Sequence, residues 1–153
     1  MKHKLAFLLL FCVCLILGTG CKKLDEEGRK NISGTITLDG VALEGGTIKF
    51  APLDTQAPDG AGVTGGTAVI QDGKYELTRD MGLYAGTYKV RIEHIVIIDP
   101  KTGEPLEDMS RFKDNPDAFK ADHRVPEKYN KKTELTLTVG EGKSQTHDFT
   151  LTK

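Results

Sequence analysis

Thr67 to Arg79 reads TAVIQDGKYELTR, and this stretch decides the fold class. Thr67 to Gln71 and Lys74 to Arg79 flank the pair Asp72-Gly73. A two-residue Asp-Gly connection favours a type I′ turn, whose positive φ at both central positions matches the twist of the strands it joins. The stretch reads as a β-hairpin, and the chain on either side of it repeats the same grammar. Upstream, Ile32, Ile36 and Leu38 fall on one parity, with Ser33, Thr35 and Thr37 on the other. This is the spacing of a strand with one apolar and one polar face. Asp39-Gly40 supplies a second turn, and Thr47 to Leu53 is a further strand carrying Ile48 and Phe50 on one face. A loop of Asp, Pro and Gly follows from Asp54 to Gly66.

Downstream, Gly86 precedes a strand in which Tyr88, Val90 and Ile92 face one way and Lys89, Arg91 and Glu93 the other. Ile95 to Ile98 (IVII) is apolar on both parities, which predicts burial on both faces or a bend across a sheet edge. The pattern then disappears over about 99–132, long for a connection inside a compact domain. Within that insertion Asp99 to Gly103 reads as a turn, and Asn115-Pro116-Asp117 as the start of a short helix through about Ala121. Alternation returns at Leu135, Leu137 and Val139, followed by a Gly140-Glu141-Gly142 turn and a closing strand with Phe149 and Leu151. The expectation is an all-β domain over 31–153, a seven-stranded antiparallel β-sandwich.

Composition agrees. The 17 glycines, with 7% aromatic residues and no Trp, suit many tight turns and short strands. Setting aside Lys2 and Lys4 of the first twenty residues leaves 19 basic against 22 acidic residues, a formal −3. So mildly acidic a body offers no electrostatic footprint for nucleic acid, and that partner is excluded.

The front of the chain has a different character. Met1-Lys2-His3-Lys4 is a short positive segment, and Leu5 to Leu17 (LAFLLLFCVCLIL) is an unbroken apolar run of 13 residues ended by Gly18-Thr19-Gly20. A membrane-spanning helix needs about 20 apolar residues, so the run reads as an export signal over 1–20. Cys12 and Cys14 would leave with it, and Cys21 would be the one cysteine of the mature chain. Small residues followed by Cys21 resemble the lipobox of bacterial lipoproteins. That resemblance implies cleavage before Cys21, a diacylglyceryl group on its sulfur and an acyl chain such as palmitate on its amino end. Two or three acyl chains, at about 0.8 kcal/mol per buried CH₂, give lasting membrane attachment. Lys22 to Lys30 (KKLDEEGRK) reads as a charged tether of at most about 30 Å, completing a segment 21–30. In that family an Asp after the lipidated cysteine is a common inner-membrane retention signal; here the residue is Lys22, so the resemblance implies the outer membrane or periplasmic face of the envelope rather than the inner membrane.

Three patches of the body resemble the transthyretin-like (prealbumin-like), carboxypeptidase-regulatory-like domain family, in particular short bacterial lipoproteins carrying one such domain. They are GTITLDGVALEGGTIKF (Gly34 to Phe50), DGKYEL with GLYAGTYKVRI (Asp72 to Leu77 and Gly82 to Ile92), and VPEKYNKKTELTLTV (Val125 to Val139) with Phe149 and Leu151. The resemblance implies a sandwich of immunoglobulin-like architecture. Tyr75, Tyr88 and Tyr129 are its expected large core residues, each keeping a hydroxyl for backbone or water.

Catalytic handles are sought in vain. One branch of that family, the hydroxyisourate hydrolases, carries a C-terminal Tyr-Arg-Gly-Ser, whereas this chain ends Asp148-Phe149-Thr150-Leu151-Thr152-Lys153. His94, His123 and His147 are spaced too widely for a local ligand pair. No nucleophile elbow or phosphate-binding loop occurs. Glu104, Glu107, Asp108, Asp114 and Asp117 lack the spacing of a calcium loop and read as a solvated face. No catalytic residue, metal or cofactor is expected. The expected function is a non-catalytic, membrane-anchored module of the cell envelope with a structural, adhesion or accessory binding role. The alternative is a carbohydrate- or peptide-binding module using the 99–132 insertion and adjacent loops, since recognition commonly sits on loops held by a rigid scaffold.

Overall fold

A computed structural model describes residues 28–53, 64–106 and 119–153. The expected signal segment, Cys21 and most of the expected tether lie outside the described residues, as do Glu107, Asp108, Asp114 and Asp117. The described chain is all-β: β1 (Asn31–Leu38), β2 (Val41–Ala42), β3 (Gly45–Pro52), β4 (Gly66–Gln71), β5 (Lys74–Leu77), β6 (Gly86–Glu93), β7 (Ile95–Ile98), β8 (Lys120–His123), β9 (Thr136–Val139), β10 (Ser144–Thr146) and β11 (Phe149–Leu151). Among the described residues a single 3-10 turn, Glu127–Tyr129, interrupts the strands.

Both Asp-Gly pairs make the expected turns. Asp72 and Gly73 have φ of 49° and 75°, and Gln71 pairs with Lys74 across them. Asp39 and Gly40 have φ of 52° and 82°, and Leu38 pairs with Val41. The first hairpin has an unexpected property, because β4 and β5 share only the one rung before each turns to another partner. β4 ladders with β3 over six pairs, and β5 with β1 over four. Strand β5 also stops at Leu77, since Thr78 and Met81 begin a turn closed by a 2.9 Å backbone bond.

The main sheet runs β10-β1-β5-β4-β3-β6-β9, with β2 and β11 added along β1. Laid flat, its seven strands would hold β10 and β9 about 29 Å apart, six spacings of ~4.8 Å. Those margins are consecutive in the chain, joined by residues 140–143, which reach at most about 18 Å when fully extended. The sheet therefore curls. Its concave interior takes one apolar parity from six of the seven strands, all but β10: Ile32 and Ile36, Ile48 and Phe50, Ala68 and Ile70, Tyr75 and Leu77, Tyr88, Val90 and Ile92, and Leu137 and Val139 are buried. Gln145 closes the gap between the margins. Its side-chain amide donates to the Gly140 carbonyl at 2.8 Å and accepts from the Gly140 N–H at 3.3 Å, imitating a backbone rung.

The ladders are antiparallel with two exceptions. β10 and β11 run parallel to β1, with Ser33 opposite Thr146 and Ile36 opposite Phe149. The chain arrives at β1 from the far margin of the curl rather than from a hairpin with β1, so it enters in the same direction. Between these rungs Gly34 faces the His147 backbone, where a Cβ would collide with the carbonyl oxygen.

The insertion departs furthest from expectation. The IVII strand is not buried on both faces: Ile95 is 48% exposed and the rest of β7 is half-buried. It leaves the main sheet and pairs with β8 in a two-stranded ribbon, with Ile95 opposite His123 and Ile98 opposite Lys120. Lys120 and Ala121 are therefore strand residues, and the short helix does not run through Ala121; the backbone of β7 needs a hydrogen-bonding partner, and extended residues supply it. The return to β9 is pinned to the body, with Asn130 Nδ2 donating to the Val125 carbonyl and Thr133 Oγ1 to the Val90 carbonyl.

Candidate functional site

The same alternation that fills the interior leaves a polar face outside. On β1 the buried Ile32 and Ile36 force Ser33 and Thr35 outward, and on β5 the buried Tyr75 and Leu77 do the same for Lys74 and Glu76. The register sets Ser33 opposite Glu76 and Thr35 opposite Lys74. Thr67, Val69 and Gln71 of β4 extend the face, as do Thr146 at the end of β10, Asp148 just before β11, and Asp72 of the hairpin turn. Together they line a cleft of about 1100 Å³ whose floor includes Gly34, Ala68 and Tyr75. Val69 and Met81, 63% and 55% exposed, give it two apolar contacts.

Two of its groups are fixed by hydrogen bonds. Asp148 Oδ1 accepts from the Thr35 N–H at 2.7 Å and from Thr35 Oγ1 at 2.8 Å, and these bonds hold its carboxyl below the usual aspartate range. The carboxylate is ionised and oriented at neutral pH, and the Thr35 hydroxyl proton is committed to it. Tyr75 donates its hydroxyl to the His147 carbonyl at 2.7 Å. Burial, with the Asp148 charge second, pushes the phenol well above its ordinary value, so it is a fixed floor rather than a proton donor near neutrality. Its ring lies between Phe50 and Phe149, with centroids 6.0 and 6.2 Å away.

The chemistry this arrangement offers is recognition. Asp72, Glu76 and Asp148 against Lys74 give the lining a formal −2, unfavourable for phosphate or sulfate groups. Ser33, Thr35, Thr67, Gln71 and Thr146 present hydroxyls and an amide at short reach, suited to neutral or cationic polar groups.

The histidines do not converge on it. His147 lies beside the cleft, just after β10, with Nε2 3.2 Å from Gln145 Oε1. His94 and His123 sit at the base of the ribbon. Among the described residues no cluster of three or more His, Cys, Asp or Glu could hold a metal ion. Among the described residues, none of the 99–132 insertion lines the cleft. Sequence reasoning placed Ser33 and Thr35 on a polar face but missed Glu76 and Asp148, since only the long-range pairing of β1 with β5, β10 and β11 brings them together.

No family model, no curated protein and no solved structure matches this chain.

Proposed function

We propose that the protein is a lipoprotein of the cell envelope, cut before Cys21 and held on the outer membrane or periplasmic face by acyl chains, with a non-catalytic transthyretin-like β-sandwich displayed behind a short tether. The observation that carries this reading is Cys21, the one cysteine outside the apolar run, directly after a positive segment, that 13-residue run and small residues. The way the tether meets the body supports it. Lys30 makes a two-bond bridge with Leu83 at 2.7 and 3.2 Å, and Arg29 donates to the Gly82 carbonyl at 3.1 Å while its guanidinium lies 5.2 Å from the Tyr84 ring centre. A segment pinned in this way passes the membrane anchor directly into the rigid domain.

The role of the displayed domain is accessory binding, and the cleft over β1, β4 and β5 is its contact surface. This moves recognition from the 99–132 insertion to the sheet face, because that face carries the oriented carboxylate and the hydroxyl lining. The ligand class that fits is a neutral or cationic hydroxylated molecule, a glycan or a polar peptide.

Mass spectrometry of the processed protein, with detergent phase partition, tests the anchor. Acyl mass on Cys21 and recovery in the detergent phase are expected, with Cys21→Ser remaining aqueous. A free thiol at that terminus together with aqueous recovery refutes the reading.

A further inference from the structure

Among the described residues, Gln71 and Lys74 make the only rung between β4 and β5. A hairpin continued in that register would set Val69 opposite Glu76, and this pair is not made. The bonds that are made fix which way the backbone groups point. Asp72 N–H donates to the Glu44 carbonyl at 3.1 Å, in register with the β3–β4 ladder. By alternation Ile70 and Ala68 turn their N–H and C=O groups to β3, and Val69 and Thr67 turn theirs the other way, towards β5. On the facing strand the Gly73 carbonyl accepts the Ile36 N–H at 2.7 Å, so Tyr75 and Leu77 address β1 while Lys74 and Glu76 address β4. Thr67, Val69 and Glu76 therefore direct backbone donors and acceptors into the space where the strands part, and all three line the cleft.

An unpaired length of strand is a template for another chain, and proteins commonly blunt such edges with charged residues or proline. Strand β4 reads GTAVIQ and has neither. The charge lies across the parting instead. Glu76 is exposed and forms no ion pair among the described residues. At Asp148 the two Thr35 bonds take Oδ1 and leave Oδ2 without a hydrogen bond among the described residues.

Resting on the reading of the cleft as the domain's contact surface, we propose that its occupant is an extended peptide segment with basic side chains, added as a strand along the free edge of β4 with rungs at Thr67 and Val69. An extended chain repeats the donors and acceptors that β4 presents, which a glycan does not. The stretch from Thr67 to Ile70 accommodates about four or five residues at ~3.4 Å each. Charge selects among peptides: the lining's formal −2 favours lysine or arginine within reach of Glu76 and Asp148 and disfavours acidic sequences.

Two-dimensional amide NMR on the full chain in zwitterionic detergent micelles tests it. The probe is a pool of capped pentapeptides with Lys at the second and fourth positions and mixed Thr, Ser, Val and Ala elsewhere. The pool is expected to shift the amides of Thr67, Val69 and Glu76 and to slow hydrogen exchange at Thr67 and Val69. Two pools N-methylated on one or the other alternate set of amides locate the rungs: one of them is expected to bind about tenfold more weakly or worse. Glu in place of Lys, or Val69→Pro, which removes an N–H that β3 does not use, is expected to abolish the shifts. Should Val69→Pro disturb the fold, the methylated pools decide on the unaltered protein. Unchanged binding by both methylated pools, equal binding by the acidic pool, or shifts confined to residues outside the cleft overturns strand addition. Maltotetraose shifting the cleft amides where the peptides do not overturns it too, while the contact-surface reading stands; cleft amides silent to every probe overturn both.

Discussion

Replacing Gly34 by alanine isolates the contact that joins the first strand to the last part of the chain. The added Cβ would collide with the His147 carbonyl oxygen and lie 3.0 Å from Tyr75 Cε1. Overpacking of this kind costs ~1–3 kcal/mol. The same carbonyl accepts the Tyr75 hydroxyl at 2.7 Å, and displacing it adds the loss of a hydrogen bond, about 1 kcal/mol. The expected destabilisation is about 2–4 kcal/mol, or a fall in Tm of about 6 to 15 °C for a domain of this length. Urea unfolding followed by far-ultraviolet circular dichroism suits a chain without Trp. Tyr75→Phe, which removes only the hydroxyl, should cost about 1–2 kcal/mol. The double variant should fall short of the sum, because both changes act through one carbonyl. A Gly34→Ala protein within about 0.5 kcal/mol of the parent, or strict additivity with Tyr75→Phe, would refute the reasoning by showing that the junction between β10 and β11 yields freely.

Two further outcomes follow from the cleft and the core. Asp148 binds protons more weakly in the fold than at its ordinary value of 3.8, so its contribution is complete above about pH 4 and disappears as pH falls through the folded-state value; urea midpoints at neutral and acid pH should show a smaller acid loss in Asp148→Asn than in the parent. Ile48, fully buried between β4 and β6, should cost about 2–5 kcal/mol when changed to alanine, measured by the same urea titration, with a change under about 1 kcal/mol contradicting the assigned interior face.

Local rules carried much of the fold. Asp72-Gly73 and Asp39-Gly40 adopt the positive φ their chemistry favours, and the parity of Tyr88, Val90 and Ile92 marks the inner face without help from any other part of the chain. What lay beyond local rules is the choice of partners. The parallel addition of β10 and β11 to β1 spans more than a hundred residues, and no short pattern encodes it. The IVII run is ambiguous for a related reason: apolar residues on both parities state that a strand forms but not which sheet receives it, and here the receiver is β8, whose first two residues, Lys120 and Ala121, read as the end of a helix. The cleft shares that limit. The outward parity of Thr35 is legible, yet its partner Asp148 lies 113 residues away and is located only by the parallel register.

The placement of β1 has a mechanical consequence. It is the strand into which the proposed tether runs, and it is held on both flanks, by β5 and β2 on one side and by β10 and β11 on the other. A pull from the amino end acts along its axis, across hydrogen bonds lying roughly perpendicular to that pull in the antiparallel ladders. Those bonds share the load together instead of opening one after another. A load arriving from the amino end is therefore met first as shear along β1.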